Sequence, residues 1–474
     1  MNAGLLTTCS PPCCATSRRL YVSVNQFKHR RLISGLLGIC LVANTFPAFS
    51  QSLIAVYQKA KTQDPQYQAS RKAFVAAMEK LPQARAGLLP TVSLTASKNR
   101  QFGTASFAGA DAVDRDVQSW SWNAQITQPL IRWANWVGYQ QADASTRQAV
   151  AQFSMAEQDL ILRVSQAYLD LLVATQSTEV MRAQLLALDE QLALAQRTYS
   201  VGTGTITDVH EAKAKWAQSQ AQSVAAAQEL ENKRAELEKI LGEPATNPVG
   251  GLSHGIPMQF SASLEDWISQ ADAQNPQIKG LQATLDAANK EVAKNEAAHL
   301  PTLDLVLSRA TNYSSGSLSS PADLSTHVNS NQAGLQLNIP LYAGGAMQSR
   351  IRESLALAEK AQDELTLTRR TVVTQVRQAY SGVMSGQAQI AALQTAVEAG
   401  RNAVESNKIG LRIGTRITPD VLSAEQQLYA SMRDLSKAHA ETTMQHLKLK
   451  SAAGAITQDD LMALDQLLSA GKNP

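Results

Sequence analysis

The sequence predicts an α+β chain in which long helices alternate with short two-stranded β units, the whole plan being written twice. Three observations predict it. Alanine, glutamine and leucine dominate 474 residues that are 44% hydrophobic and only 5% aromatic, a composition suited to long helices. Stretches of apolar–polar alternation stand just after or before prolines, the period of a strand. Fixed markers also recur at one spacing. Pro65 and Pro276, Pro90 and Pro301, and Pro129 and Pro340 are each 211 residues apart; Gly202 and Gly414, and Asp208 and Asp420, are 212 apart. Two copies of one unit, offset by a single inserted residue, account for all five pairs. The copies span roughly 51–250 and 262–454, joined by 251–261 and followed by a tail at 455–474. A period this long is not that of a solenoid, so each copy is half of a pseudo-symmetric molecule.

Residues 1–50 read as a secretory signal. "KHRR" (28–31) precedes the apolar run "LISGLLGICLV" (32–42), and small residues follow at Ala48 and Ser50. A membrane anchor is the competing reading, but the run is short for a bilayer span. All four cysteines (Cys9, Cys13, Cys14 and Cys40) fall within this leader, so the expected mature chain has neither disulfides nor thiolate metal sites. Ile39 is bulky where a lipoprotein signal takes a small residue, which argues against lipidation at Cys40. The leader carries five Lys/Arg and no Asp/Glu, which leaves 38 basic against 40 acidic residues. The net charge of +3 therefore comes from the leader, and no basic field argues for nucleic acid. Beyond the leader, no run of eighteen apolar residues offers a transmembrane helix.

Each copy opens with a helical segment, about 52–87 and 276–298, the first holding Pro82 in its interior besides the marker Pro65. Strands follow. Val92, Leu94 and Ala96 alternate with Ser93, Thr95 and Ser97; Trp120, Trp122, Ala124 and Ile126 alternate with Ser121, Asn123, Gln125 and Thr127. The second copy repeats this with Leu303, Leu305 and Leu307, then Leu335, Leu337 and Ile339. Each copy thus holds a hairpin of two strands of about ten residues, with loops at 102–116 and 311–326. A soluble sheet packed on helices shows this pattern, and so does a membrane barrel, in which Trp120 and Trp122 would fit an interfacial belt. Four strands do not close a barrel alone, so a barrel would be shared between chains.

Long helices come next, about 134–198 and 347–411, without proline. At 1.5 Å per residue each is on the order of 100 Å long. Leu160, Val164, Ala167, Leu171 and Ala174 step by four and three, as do Leu185, Leu188, Leu192 and Ala195, and Val372, Val376, Ala379 and Val383. That is heptad-like spacing for packed helices, and a plain soluble coiled coil shows it too. After each stands a near-identical phrase, "VGTGTITDV" (201–209) and "IGTRITPDV" (413–421). Gly202 and Gly204, or Gly410 and Gly414, are expected to end the helix. Thr207 or Asp208 stands near the next N-cap, and Pro419 suits a first turn before Asp420. Returning helices at about 208–241 and 419–453 make the phrase the tip of a long helical hairpin, with both tips at one end of the molecule.

These features together resemble the TolC family of outer-membrane channel proteins. The carriers are "DPQY" and "NPQI" opening the copies, "LLPTVSL" and "HLPTLDL" entering the strands, "QPLIRW" and "IPLYAGG" leaving them, and the two tips. "ITQDDLMALDQLL" (456–468) is similar to the tail of the TolC group proper. The resemblance implies an α+β membrane protein: a homotrimer with a long antiparallel α-helical coiled-coil barrel and a shared 12-stranded transmembrane β-barrel in outer-membrane lipid, four strands per chain. It implies tips that meet a periplasmic adaptor of an inner-membrane transporter of ABC or RND type, and a cargo of drugs, small toxins or unfolded secreted proteins. Arg416 matches a latch arginine that pairs with a first-repeat tip, where Thr207 and Asp208 match its acceptors. Asp420 matches a ring of aspartates that narrows the entrance. Val201, Gly202, Thr203, Ile413, Gly414 and Thr415 match the adaptor-docking tips. Two positions depart from the pattern. Ser423 replaces a second ring aspartate and Leu411 a latch tyrosine, so the resemblance does not extend to a double ring and implies a weaker latch.

No catalytic, cofactor or metal pattern stands out. The seven histidines are scattered, and His210, His439 and His446 read as surface residues. "GTGT" (202–205) lacks the spacing of a phosphate loop. The competing functional class is a periplasmic coiled-coil adaptor without a pore, and the four strands distinguish the two. A secreted enzyme lacks a site.

Overall fold

In a computed structural model, Asp64 and Asn275 do the same work in the two halves. Each stands before a proline, where an α conformation is disfavoured, and each turns the chain and caps a new helix. The Asp64 carboxylate accepts from the Tyr67 N–H at 3.0 Å, and Asn275 Oδ1 accepts from Gln277 at 2.8 Å and Ile278 at 3.2 Å. The opening segment expected as one helix over 52–87 is therefore three: α1 (Leu53–Gln63), α2 (Pro65–Met78) and α3 (Lys80–Ala86). Pro82 sits in the first turn of α3, where its missing N–H is harmless.

The first half continues through β1 (Thr91–Ala105), β2 (Val113–Ile131), α4 (Trp133–Ser200) and α5 (Ile206–Leu241). The second runs α6 (Leu264–Gln274), α7 (Pro276–Ala297), β3 (Thr302–Ser314), β4 (Thr326–Asn338), α8 (Ala346–Arg412) and α9 (Thr418–Ala452), and α10 (Gln458–Ala470) forms the tail. The structure describes residues 52–107, 109, 111–246, 248, 250–251 and 263–470. The expected leader, with its cysteines and the lipidation question at Cys40, lies outside these, as does most of the 251–261 connection.

The four strands form one antiparallel sheet in the order β1-β2-β3-β4, with β2 and β3 joining the halves. The strands are longer than the ten residues expected, at 15, 19, 13 and 13. The strands run into both ends of the segments read as loops, leaving 106–112 and 315–325 as the connections, and polar residues pair across the extended hairpin of β1 and β2. Arg100 grips Asp116 through Nε at 2.9 Å, and Thr104 Oγ1 donates to Asp114 at 2.8 Å. Asp304 on β3 takes both Nε and Nη2 of Arg132, at 2.9 and 2.6 Å, where β2 hands over to α4.

The α4 and α8 helices, of 68 and 67 residues, each pack antiparallel to their return helices. The four-three stripes face inward, Leu160 to Leu171 against α1, the end of α5, α9 and the tail, and Val372 to Ala379 against α6, α7 and the end of α9. Leu160, Val164, Ala167, Leu171 and Ala174 are buried, as are Val372, Val376, Ala379 and Val383. Burying each large aliphatic side chain contributes roughly 1.5–3 kcal/mol. The largest core gathers where α1, the end of α5 and the tail meet α4: Leu53, Leu160, Tyr168, Leu241, Leu461 and Leu464 pack together there. Glycines bring α8 close to α9. A Cβ on Gly382 would lie 3.1 Å from the Gln445 side chain, and one on Gly386 would run into Thr442.

Candidate functional site

The sheet has two unlike faces. Val92, Leu94, Ile126, Leu307, Leu335 and Leu337 stand on one side, and all are exposed, Val92 at 74% and Leu94 at 71%. The register carries this apolar band unbroken across the four strands. On the other side stand Ser93, Thr95, Ser97, Ser121, Asn123 and Gln125, with Ser97 and Ser121 hydroxyls 2.9 Å apart. One face suits hydrocarbon and the other water, the alternation of a membrane barrel wall. Among the described residues β1 and β4 are the sheet's edges, so each presents a row of N–H and C=O groups that a hydrocarbon environment must not leave unbonded.

Trp120 and Trp122 both lie on the apolar face. Trp120 ranks with Tyr313 and His327 across neighbouring strands, its ring 5.8 Å from Tyr313 and 6.0 Å from His327. Trp122 sits one step nearer the strand's foot, opposite Ala96. The sequence reading missed a second aromatic group at that foot: Trp133 and Trp136 are exposed, Trp136 lies 6.1 Å from Tyr139, and Tyr342 is 84% exposed. Their position directly after the strands was the available signal. The eleven residue steps from Trp120 to Ile131 span roughly 36 Å along the strand, or about 28 Å at a barrel's usual tilt, close to the height of an outer-membrane apolar band.

The two tips share one backbone shape. Gly202 and Gly414 both adopt φ +79°, a conformation that favours glycine, with open space where a Cβ would stand. In the first tip Thr203 and Gly204 donate to Thr198 O at 2.9 and 3.0 Å; in the second Thr415 and Arg416 donate to Gly410 O at 2.9 and 3.2 Å. Gly410 does not end its helix, as the sequence reading expected. It lies inside α8, buried, and only Gly414 makes the turn. The N-cap of α5 is Thr205, not Thr207 or Asp208. Thr205 Oγ1 accepts from the Asp208 N–H at 3.2 Å, and the Asp208 carboxylate accepts from Thr205 N–H at 3.1 Å. That reciprocal pair is a capping box. The second tip keeps half of it: Asp420 accepts from Ile417 N–H at 3.5 Å, and Ile417 has nothing to return.

The chain brings Arg416, in the turn just before α9, to Asp420 in the first turn of that helix, at 3.7 Å. Among the described residues of one chain, no ion pair joins Arg416 to Asp208, and Thr207 is exposed. The tips nevertheless sit side by side. Leu422 of α9 packs with Ala212 of α5 and with Leu188 and Ala195 of α4, and Lys215 donates to Gln426 at 2.9 Å. Val201 (72% exposed) and Ile413 (69%) hold equivalent places before the turning glycines. Ile206 and Ile417, which the sequence reading passed over, add further exposed aliphatic surface.

Above the tips the structure shows what no local pattern marked. Glu425 of α9 is almost fully buried with Oε1 2.6 Å from Lys408 Nζ of α8, although neither carboxylate oxygen has an aligned hydrogen bond. Burial and then the Glu425 charge push the nearby Tyr429 hydroxyl up. His439 is buried rather than superficial and His446 half-buried; burial lowers the pKa of both, with Lys450 lowering His446 further and Asp460 opposing. His210 is exposed.

Comparison with known proteins places this geometry. The model of a family described as "Outer membrane efflux protein" matches residues 56–243 and 267–455, once in each half. The alkaline protease secretion protein AprF of Pseudomonas aeruginosa is 30% identical over 94% of this chain and 93% of its own length. The outer membrane protein TolC of Escherichia coli is 27% identical over 93% of this chain and 90% of its own. The structure of the outer membrane protein VceC from Vibrio cholerae superposes with a TM-score of 0.71 at 18% identity, over 85% of this chain and 96% of that one, which shows a shared fold. The chain belongs to the outer membrane efflux protein family, the TolC family of channel proteins.

Proposed function

We propose that three copies of this chain pool their sheets into a twelve-stranded outer-membrane barrel, continued by a helical tunnel through the periplasm, as the exit duct of a tripartite export system. One observation carries the reading: a four-stranded sheet with an exposed apolar face and two long free edges. Such a sheet is too small to close, and a membrane span without closure leaves its edges unbonded. Joining β4 of one chain to β1 of the next keeps the antiparallel alternation and removes every edge. An adaptor without a pore has no use for the apolar face.

The duct passes cargo from an inner-membrane transporter, through a periplasmic adaptor, to the outside. Relatives named for alkaline protease and proteases secretion support a protein cargo, and one named as an efflux protein supports small molecules. At the entrance, Arg416 works with Thr207 and Asp208 of a neighbouring tip as a latch, and Asp420 of each chain contributes to a ring that favours cations. Val201, Gly202, Thr203, Ile413, Gly414 and Thr415 form the adaptor-docking tips. Trp120 and Trp122 stand at the outer membrane interface. The test is the protein purified in mild detergent. A mass of three chains and ion conduction across a planar bilayer are expected. A non-conducting monomer, or soluble recovery from the periplasm, overturns the reading.

A further inference from the structure

We propose that the loop of residues 315–325 is a strap folded over the polar face of the sheet at its outer end, pinned by Arg115, and that it sets the size limit at the channel's outer mouth. The size limit rests on the barrel reading above; the folded strap rests on the contacts of the chain itself.

Arg115 lies near the outer end of β2, on the side shared by Val117, Ser119, Ser121 and Asn123, which is the polar face. Its Nη1 donates to the carbonyls of Ser317 and Ser320, both at 2.5 Å, and its Nη2 to that of Pro321 at 2.9 Å. Its guanidinium also sits 5.1 Å from the centre of the Phe107 ring. Three carbonyls gathered by one rigid fork of donors fix a loop's path in a way a lysine does not. The loop is tied inside as well. Ser317 Oγ accepts from Ser319 N–H at 3.2 Å and Ser320 N–H at 3.1 Å, and Asp323 accepts from Ser317 N–H at 3.1 Å. Its start is fastened to β2, since Ser315 N–H donates to Gln118 O at 2.9 Å and Gln118 N–H donates to Ser315 Oγ at 2.9 Å.

Burial shows which face is covered. Of all residues in β1 and β2 only Ala105 and Val117 are buried, and both stand at the outer end on the polar side. Directly across the sheet Asp114, Asp116 and Gln118 are exposed. The cover is therefore one-sided and local, since Gln101, Gly103 and Val113 on the polar side stay exposed, and in a closed barrel that side is the lumen. Three straps, one per chain, would narrow the opening by pore diameter rather than by charge, because Arg115 spends its donors on backbone.

The experiment uses the full chain on intact cells. Residues 41–474 contain no cysteine, so Asn123→Cys, midway along the polar face, gives one reporter below the strap. It is labelled from outside with a small and a polymer-conjugated impermeant maleimide. Arg115→Met is expected to raise polymer labelling about tenfold relative to small-reagent labelling, as a widened pore radius requires. Arg115→Lys, with a single point of attachment, is expected to fall between. Asp323→Ala loosens the loop without touching β2 and carries the test if Arg115→Met fails to reach the membrane. An unchanged labelling ratio in the variants that assemble overturns the strap. Failure of both reagents to label, together with a parent protein that conducts no ions, overturns the barrel reading instead.

Discussion

The Arg416 side chain lies across Gly410. A Cβ on Gly410 would stand 2.6 Å from Arg416 Cγ, and in the first tip the bulk is exchanged: a Cβ on Gly204 would stand 2.7 Å from Thr198 Oγ1. The two pairs occupy equivalent positions, 212 residues apart. One member must be glycine in each tip, and the second tip spends its room on a cation.

Arg416→Ala is expected to raise single-channel conductance while leaving the thermal midpoint almost unchanged. The Arg416–Asp420 pair is long and more than a third exposed on both sides, and such pairs contribute about 0–1 kcal/mol. Gly410→Ala must push the arginine stem aside, so it is expected to raise conductance too. Unaltered conductance in both variants counts against the latch.

Lys408→Met leaves Glu425 buried without its cation. A loss of about 2–3 kcal/mol in urea unfolding of the helical signal is expected, below the full figure for a broken buried pair because Lys408 is 44% exposed. Adding Glu425→Leu is expected to recover most of that loss. A double variant as unstable as the single one would show that the site needs the carboxylate.

Gly386→Ala sets helix propensity against packing. Alanine gains roughly 1 kcal/mol in a helix interior, but the new methyl meets Thr442, whose Cβ is 3.1 Å from the ideal position and whose hydroxyl is closer still. Overpacking against a stiff β-branched side chain typically costs about 1–3 kcal/mol, so a lowered thermal midpoint is expected. Thr442→Ala in the same chain should restore it, and a pair that stays destabilised would locate the clash elsewhere.

The protein should lose stability as pH falls below the ordinary histidine value of 6.5. His439 and His446 have folded-state values lowered by burial, so between those values and 6.5 the unfolded chain binds more protons. Stability then declines as pH falls through that window, at no more than about 1.4 kcal/mol per pH unit for each histidine. His439→Gln is expected to flatten part of the slope in thermal scans from pH 7 downward. An identical slope would assign the acid sensitivity to other groups.

Periodicity and duplication made much of this molecule legible. Leu160 to Ala174 and Val372 to Val383 carry their seam spacing in the chain itself, because a helix repeats every 3.6 residues wherever it sits. Gly202 and Gly414 announce their turns because φ +79° excludes most other residues. The alternation from Val92 to Ala96 fixes two unlike faces, because side chains in a strand must alternate. Whatever depends on which segments meet was left to tertiary structure. The outermost residues of β1 and β2, 102–105 and 113–116, look like loop in the sequence, and pairs such as Arg100 with Asp116 and Thr104 with Asp114 form only across the sheet. Lys408 and Glu425 stand seventeen residues apart, on two helices that only antiparallel packing brings together, and no local period marks them. Arg416 has several carboxylates within reach by sequence, and the fold gives it Asp420 within one chain. A repeating backbone writes its period into the sequence, whereas a contact between distant segments exists only once the chain has closed on itself.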